Sequence, residues 1–393
     1  GREPDNHIVL NHPMVSRYHA VIERMGKRTR IIDMHSANGV YINGQPVDGQ
    51  SWLQQGDYIK IGPYQIQFTG NELRPSAVES YTIDVIGVQK WVTKNLNLLK
   101  EISLSVGQNE FVALVGMSGA GKSTLMDAIN GFRPGTHGQV LVNGVDLYRN
   151  YGMFRDDIGN VPQKDIVHNE LTPEQALDYA AQLRMPADTS RAERKAAVDE
   201  TLKDLGLDAR RNVPISRLSG GQLKRVSIGV ELLTKPRLFF LDEPTSGLDP
   251  GTEYEMMKLL RRLADQGRSI MIITHATKNV MFCDKAIILA KGGNLAFYGP
   301  PEYALEYFDK FRTKREQLEK DMEFDDIYRI LEDPTRGKPE DWRERYLKSE
   351  YARYVRPQYK GISTTQAYAG AGRQQRGKRI SGQIGRASCR ERV

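Results

Sequence analysis

Nine consecutive residues set the chemistry of this chain: Gly116-Met117-Ser118-Gly119-Ala120-Gly121-Lys122-Ser123-Thr124. The apolar run Phe111-Val112-Ala113-Leu114-Val115 precedes them and reads as a buried strand. Leu125-Met126-Asp127-Ala128-Ile129 follows and reads as a helix that stops before Gly131. A strand, a Gly-rich loop and a helix opening on Lys-Ser make a phosphate-binding loop. The glycines let backbone N–H groups close around phosphate oxygens, and the helix N-terminus adds partial positive charge. Lys122 would then reach the β- and γ-phosphates of a nucleotide, and the Ser123 hydroxyl would ligate magnesium. Gly116, Ser118, Gly119, Ala120, Gly121 and Thr124 complete the nucleotide-binding set. A ligand-free Gly-rich turn would not need every fixed position of the motif, and here every one is filled.

Further chemistry-bearing residues follow in order. Val161-Pro162-Gln163 puts a Gln at a strand end, and Leu238-Phe239-Phe240-Leu241 runs into the carboxylates Asp242 and Glu243. Ser269 to Ile273 reads as a buried strand leading through Thr274 to His275. Phosphoryl transfer to water needs positioning and charge stabilisation more than covalent chemistry. Asp242 would hold magnesium, and Glu243 would orient or deprotonate the attacking water, because neighbouring strand side chains point apart. Two exposed surface acids are the rival reading, disfavoured by the wholly apolar strand that opens into them. A lone His at a strand end is usually structural, and only the set of motifs raises His275.

The elements that must position these residues fall into blocks. Residues 1–70 hold short β-rich runs at His7–Leu10, Tyr18–Ile22, Arg30–Ile32, Val40–Ile42, Tyr58–Ile61 and Tyr64–Phe68. Asn38-Gly39, Asn43-Gly44 and Asp48-Gly49 punctuate them as tight turns, which predicts an all-β sandwich. This block resembles the forkhead-associated (FHA) domain in Gly1-Arg2, Ser16-Arg17-Tyr18-His19, Asp33 and Ser36-Ala37-Asn38-Gly39-Val40-Tyr41-Ile42-Asn43-Gly44. The resemblance implies phosphothreonine binding through loops at one end, with Arg2, Ser16 and Arg17 on the phosphate and Asn38 on the peptide backbone. His19 would brace the loop. In this family the Gly-Arg pair follows the first strands, so the sandwich is expected to be truncated. The implied partners are a phosphothreonine-containing protein or segment and a Ser/Thr kinase, with Thr364 and Thr365 as candidate targets.

Residues 71–80 read as a polar linker, and a second domain is expected over 81–309. Tyr81–Val85 and Leu98–Val106 read as strands, and Pro173–Met185, Arg191–Leu205 and Leu223–Leu233 as helices. Leu218-Ser219-Gly220-Gly221-Gln222 lies between the P-loop and the Asp-Glu strand. With it the domain resembles the nucleotide-binding domain of ATP-binding-cassette (ABC) proteins, an α/β P-loop NTPase fold, over about Tyr81 to Phe308. The closest flavour is the G subfamily of exporters, on Gly293-Asn294-Leu295-Ala296-Phe297-Tyr298-Gly299-Pro300-Pro301 and Ala304-Leu305-Glu306-Tyr307-Phe308. Gln222 departs from it, since many members carry Glu there.

The resemblance implies ATP and Mg2+ as cofactors and ATP hydrolysis as the reaction. Gln163 would contact magnesium and the attacking water, on a loop facing a transmembrane partner, and His275 would touch the γ-phosphate. Ser219, Gly220, Gly221 and Gln222 would close over ATP held by a second ATP-binding domain, so two chains would work head to tail. Trp91 is spaced to stack on adenine or is a plain core or surface aromatic.

From Pro300 the pattern turns to charged, solvated or interfacial helices at Glu302–Glu319, Asp325–Leu331 and Trp342–Tyr354, and residues 310–360 read as a charged helical connector. Residues 361–383 read as a disordered basic linker. Arg376-Gly377-Lys378-Arg379 fits lipid headgroups or plain solvent equally. Residues 384–393 resemble the translation of a sequencing adapter, which would empty Cys389 of meaning. The net charge of +7 sits in this tail: Lys360 to Val393 carry eight basic residues and one acidic. The folded domains are therefore balanced, and no nucleic-acid partner is expected. Two cysteines suit a reducing compartment, with Cys283 a buried core residue. The expected protein is the ATP-hydrolysing part of an exporter on the cytoplasmic face of a membrane, joined to a transmembrane domain downstream of the basic cluster Arg373–Arg379. A soluble ABC ATPase without a membrane domain, or a phosphopeptide adaptor with weak ATPase activity, are the rivals.

Overall fold

The computed structural model describes residues 1–75, 81–275 and 277–355. The basic tail, Thr364, Thr365, the Arg373–Arg379 cluster and the adapter-like segment lie outside these residues.

The first domain stacks two antiparallel sheets. β1 (Ala20–Met25), β2 (Arg28–Asp33) and β5 (Gln50–Leu53) form one, in the order β1-β2-β5. The other runs β4 (Gln45–Pro46), β3 (Val40–Ile42), β6 (Tyr58–Ile61), β7 (Tyr64–Phe68) and β8 (Leu73–Pro75). Leu10, Val15, Ile31, Val40, Leu53, Ile59, Ile61 and Phe68 fill the space between them. Asn43 and Gly44 both take positive φ, 50° and 84°, the conformation a two-residue hairpin turn demands. Two expectations change. His7–Leu10 is not a strand; Gly1 accepts the Leu10 N–H through its backbone carbonyl, and the segment runs as a loop. The polar stretch after residue 70 already contains β8, paired to β7 through Phe68 and Leu73.

The second domain is built on a six-stranded sheet. β9 (Ile83–Gln89), β10 (Trp91–Thr93), β11 (Leu96–Asn97) and β12 (Ile102–Val106) lead into β13 (Phe111–Gly116). After α1 (Lys122–Ile129) come β14 (His137–Val142), β15 (Val145–Asp146), α2 (Tyr151–Phe154) and β16 (Ile158–Val161). The helices α3 (Pro173–Arg184), α4 (Arg191–Asp204) and α5 (Gly220–Leu232) precede β17 (Leu238–Asp242), α6 (Pro250–Asp265) and β18 (Ser269–Ile273). β19 (Lys285–Ala290) and β20 (Asn294–Gly299) close the sheet, ordered β16-β17-β18-β13-β19-β20 and parallel except for the last pair. A smaller antiparallel sheet, β12-β9-β14-β15, packs beside it. β13 and β18 to β20 are buried along their whole lengths, as continuous apolar runs in a covered parallel sheet should be.

Of the two readings of the C-terminal helices, solvated or interfacial, their buried faces exclude the solvated one. The helix expected over Glu302–Glu319 breaks into α7 (Pro301–Asp309) and α8 (Lys314–Glu319), with Thr313 making a new N-cap. α9 (Phe324–Glu332) and α10 (Pro339–Lys348) follow. Ile327, Ile330, Trp342 and Tyr346 are buried in the main core, where Tyr346 packs on Phe297 and Trp342 on Phe308 and Phe311. Most of the charges face outward, with Asp326 buried and paired to Lys320 at 2.8 Å, while Phe324, Ile327, Ile330 and Leu331 make the core-facing stripe of α9. No helix among the described residues is long and apolar enough to cross a membrane.

The two domains meet around one buried ion pair. Lys60 of β6 reaches Asp157, just ahead of β16, at 2.8 Å, with both side chains under a tenth exposed. Tyr81 donates to the same carboxylate at 2.7 Å, and the Lys60 ammonium also donates to the Met153 carbonyl at 2.6 Å. Breaking such a pair from one side strands a buried charge. Lys60→Met is therefore expected to cost about 3–5 kcal/mol in urea unfolding of the whole chain. Adding Asp157→Asn should recover part of that loss; no change in the midpoint of Lys60→Met would refute the role given to this pair.

Candidate functional site

The parallel strands β16, β17, β18 and β13 are adjacent in the sheet, and each ends on a residue singled out above. Gln163 follows β16, Asp242 closes β17 with Glu243 next, His275 lies just past β18, and the P-loop leaves β13. A parallel sheet buried on both faces gathers polar groups at its C-terminal edge, where ligands of such folds bind.

The P-loop bends as its glycines allow. Gly119 and Gly121 take φ of 75° and 95°, and a Cβ on Gly121 would lie 3.1 Å from the Leu98 carbonyl. Lys122 folds back so that its ammonium donates to the carbonyls of Gly116 and Met117 at 2.8 and 3.0 Å. The Ser123 hydroxyl donates to Asp242. Burial raises the Asp242 carboxyl above its usual range, against that hydrogen bond, and the neighbouring Glu243 charge raises it further. Burial lowers the Lys122 ammonium, while the charges of Glu243 and Asp242 oppose that. A hydroxyl and a carboxylate that favour added positive charge fit a magnesium ion, and the curled loop with its lysine fits a nucleotide phosphate.

Glu243 is held by both neighbours. Gln163 Nε2 donates to its Oε2 at 2.8 Å, and His275 Nε2 meets its Oε1 at 2.9 Å. Its backbone sits at φ 49°, a left-handed conformation rare for a glutamate. Strain of that kind, fixed by the Glu243 N–H bond to the Ile273 carbonyl, is characteristic of functional turns.

The Ser219-Gly220-Gly221-Gln222 stretch opens α5 three residues earlier than expected. Ser219 accepts the Gln222 N–H, and Gln222 Oε1 accepts the Ser219 N–H at 3.1 Å, a complete capping box. The departure at Gln222 is thus filled by a residue that does the same local work as Glu. Gly221 is required by packing, since a Cβ there would come within 2.3 Å of Thr252 on α6. Among the described residues no hydrogen bond joins this stretch to the P-loop. Trp91 stands on the β10–β11 ribbon, 38% exposed, with its indole N–H donating to Gln89 at 2.9 Å. The ribbon returns through Leu98, beside Gly121, but no ring contact ties Trp91 to the loop.

Three residues went unnoticed in the sequence. Lys224 of α5 donates to the Gln163 carbonyl at 2.7 Å and pairs with Asp165 at 3.1 Å; Ser227 donates to the same Asp165 at 2.7 Å. They tie the Gln163 loop to the helix that begins at Ser219. Their only sequence signal is two polar residues, i and i+3, on the buried side of an apolar helix.

In the first domain Arg2, Ser16, Arg17 and Asn38 gather at one end of the sandwich. His19, fully buried, accepts the Ser16 N–H at Nδ1 and donates through Nε2 to the Gly39 carbonyl at 3.1 Å, which is the bracing expected of it. Asn38 donates to the Met14 carbonyl at 2.7 Å. This end faces the second domain across a cavity of about 580 Å³, lined in part by Asn38, Met185 and Pro186.

Comparison with known proteins agrees with this division. Residues 99–246 match the ABC transporter family, and residues 1–62 match the FHA domain. The chain is 40% identical over 306 residues to the ABC transporter ATP-binding/permease protein Rv1747 of Mycobacterium tuberculosis, covering 77% of this chain and 35% of that protein. It is 32% identical over 290 residues to the broad substrate specificity ATP-binding cassette transporter ABCG2 of Rattus norvegicus, covering 71% of this chain and 41% of that one. The chain therefore spans well under half the length of these relatives. Among solved structures, cbiO1 from Clostridium perfringens, part of the ABC transporter complex cbiONQ, aligns with a TM-score of 0.54 and 29% identity, over 65% of this chain and all of that one.

The capping box makes a direct prediction. Gln222→Glu should leave thermal stability unchanged within about 0.5 kcal/mol, whereas Ser219→Ala should cost about 1 kcal/mol, the usual worth of an N-cap. Thermal melts of the two variants against the parent check both halves.

Proposed function

We propose that this chain, which joins an FHA domain to an ABC-type ATPase domain, binds and hydrolyses ATP to drive transport and is regulated through phosphothreonine. The observation that carries the ATPase reading is the meeting of Gln163, Glu243 and His275 beside the P-loop. In the proposed reaction a water oxygen attacks the γ-phosphorus, its proton passes to Glu243, and the bond to the β–γ bridging oxygen breaks to release ADP. Lys122 and the loop N–H groups bind the β- and γ-phosphates, and Ser123 and Asp242, aided by Gln163, hold the magnesium ion. That ion, when bound, neutralises phosphate charge. Each Glu243 oxygen accepts one side-chain hydrogen bond and keeps a second lone pair for the attacking water. Gln163 and His275 then orient the carboxylate and the γ-phosphate.

Ser219 begins α5 exposed, with Gly220 beside it and without a bond to the chain's own P-loop. This supports a head-to-tail pair of chains, each offering its α5 N-terminus to ATP on the other. Lys224 and Asp165 would carry closure of that pair to the Gln163 loop and from there to a transmembrane partner at the cytoplasmic face of a membrane. Likeness to G-family transporters supports export as the direction. The FHA domain adds phosphothreonine reading by Arg2, Ser16, Arg17 and Asn38, with a Ser/Thr kinase supplying the phosphate.

Glu243→Gln is the test. ATP binding should persist, steady phosphate release should fall by about 100-fold or more, the scale of a lost general base, and ATP should hold the chain as a dimer in light scattering. Near-normal turnover in Glu243→Gln would remove Glu243 from this role.

A further inference from the structure

The phosphate-reading end of the FHA domain is not turned to solvent. The loop between α3 and α4 enters it. Asp188 places Oδ1 at 3.0 Å from Arg2 Nη1 and Oδ2 at 2.7 Å from the Arg17 backbone N–H, while its carbonyl accepts from Arg2 Nη2 at 3.2 Å. Glu193, in the first turn of α4, receives Arg2 Nε at 2.9 Å and Arg17 Nη2 at 3.3 Å. The Arg2 side chain is only 7% exposed. Two arginines and a backbone N–H converge on one acidic loop, the donor set that an oxyanion ligand needs.

We infer that residues 186–193 are an internal ligand of the FHA domain, with the Asp188 carboxylate standing where a phosphothreonine phosphate would sit. The inference rests on the phosphothreonine reading proposed above and names what competes for that site. Asp188 is an incomplete substitute. A carboxylate offers two oxygens against three on a phosphate, and the Ser16 hydroxyl, which accepts the Ala37 N–H at 3.1 Å, is not among its partners. The Thr189 hydroxyl beside it is buried without a hydrogen-bond partner. A phosphothreonine peptide can therefore outbid the loop, but only after paying for its release. The loop joins two helices that pack with α5, so the competition also decides whether the FHA domain grips the helical layer that carries Ser219.

Population arithmetic sets the scale of the effect. If the loop fills the site in about nine molecules of ten, the apparent affinity for an external peptide is reduced about tenfold. The test compares the 393-residue chain with the variant Asp188→Asn/Glu193→Gln, which removes both charges and keeps the α4 capping box, because Gln serves at that position. The probe is a fluorescent mixture of peptides with one fixed phosphothreonine, against the same mixture unphosphorylated. The variant should bind the phosphorylated mixture at least about tenfold more tightly than the parent, and neither should bind the unphosphorylated one. Asp188→Ala alone provides a second variant with a gain in the same direction. Equal phosphopeptide affinity in parent and variants overturns the internal ligand and leaves the phosphothreonine reading standing. Failure of parent and variants alike to prefer the phosphorylated mixture overturns the phosphothreonine reading, and the internal ligand with it.

Discussion

A strand buried on both faces has nowhere along its length to put a polar side chain. That constraint shapes the whole second domain. β13, β17 and β18 are apolar from Phe111 to Val115, from Leu238 to Leu241 and from Ile270 to Ile273, and lie side by side in the sheet. The P-loop, Gln163, the Asp242-Glu243 pair and His275 all fall at or just past the ends of strands of this sheet. Parallel pairing makes those ends coincide. Had β17 run the other way, Asp242 and Glu243 would lie at the opposite edge from Lys122.

The site that results is mutually restrained. Asp242 takes the Ser123 hydroxyl and Glu243 takes both Gln163 and His275, so residues from four strands hold one another before any ligand arrives. The left-handed backbone at Glu243 goes with a carboxylate held between Gln163 and His275. Behind this shell, Lys224, Ser227 and Asp165 tie the Gln163 loop to α5. α5 thus begins at the exposed Ser219 and Gly220, and its second turn is tied through Lys224 to the Gln163 loop.

The FHA domain touches both parts of the ATPase domain. Lys60 anchors it to Asp157 beside the central sheet, while Arg2 and Arg17 hold the loop between α3 and α4 of the helical layer. The two anchors differ in kind. The Lys60 pair is buried and hydrogen-bonded on several sides, which makes it costly to break. At the other end Asp188 and Glu193 are more than a third exposed, against an Arg2 side chain that is itself buried.

Much of this was legible in the residues alone. The P-loop, the Asp242-Glu243 strand end and the sandwich turns at Asn43-Gly44 are local patterns whose geometry follows from a few adjacent residues, whereas His275 stands out only through the company of the other motifs. Local patterns also misled. Residues 310–355 look like a solvated connector because charges outnumber apolar residues, yet Trp342, Tyr346 and Ile327 complete the core. His7–Leu10 has strand-forming residues yet, among the described residues, pairs with no strand. Tertiary structure alone decided which distant groups meet. It brought Gln163 and His275 onto one carboxylate 80 and 32 residues away, and it set Asp188 against an arginine 186 residues earlier. Sequence spacing carries no record of such encounters, because they depend on the twist and order of a whole sheet and on how two domains come to rest against each other.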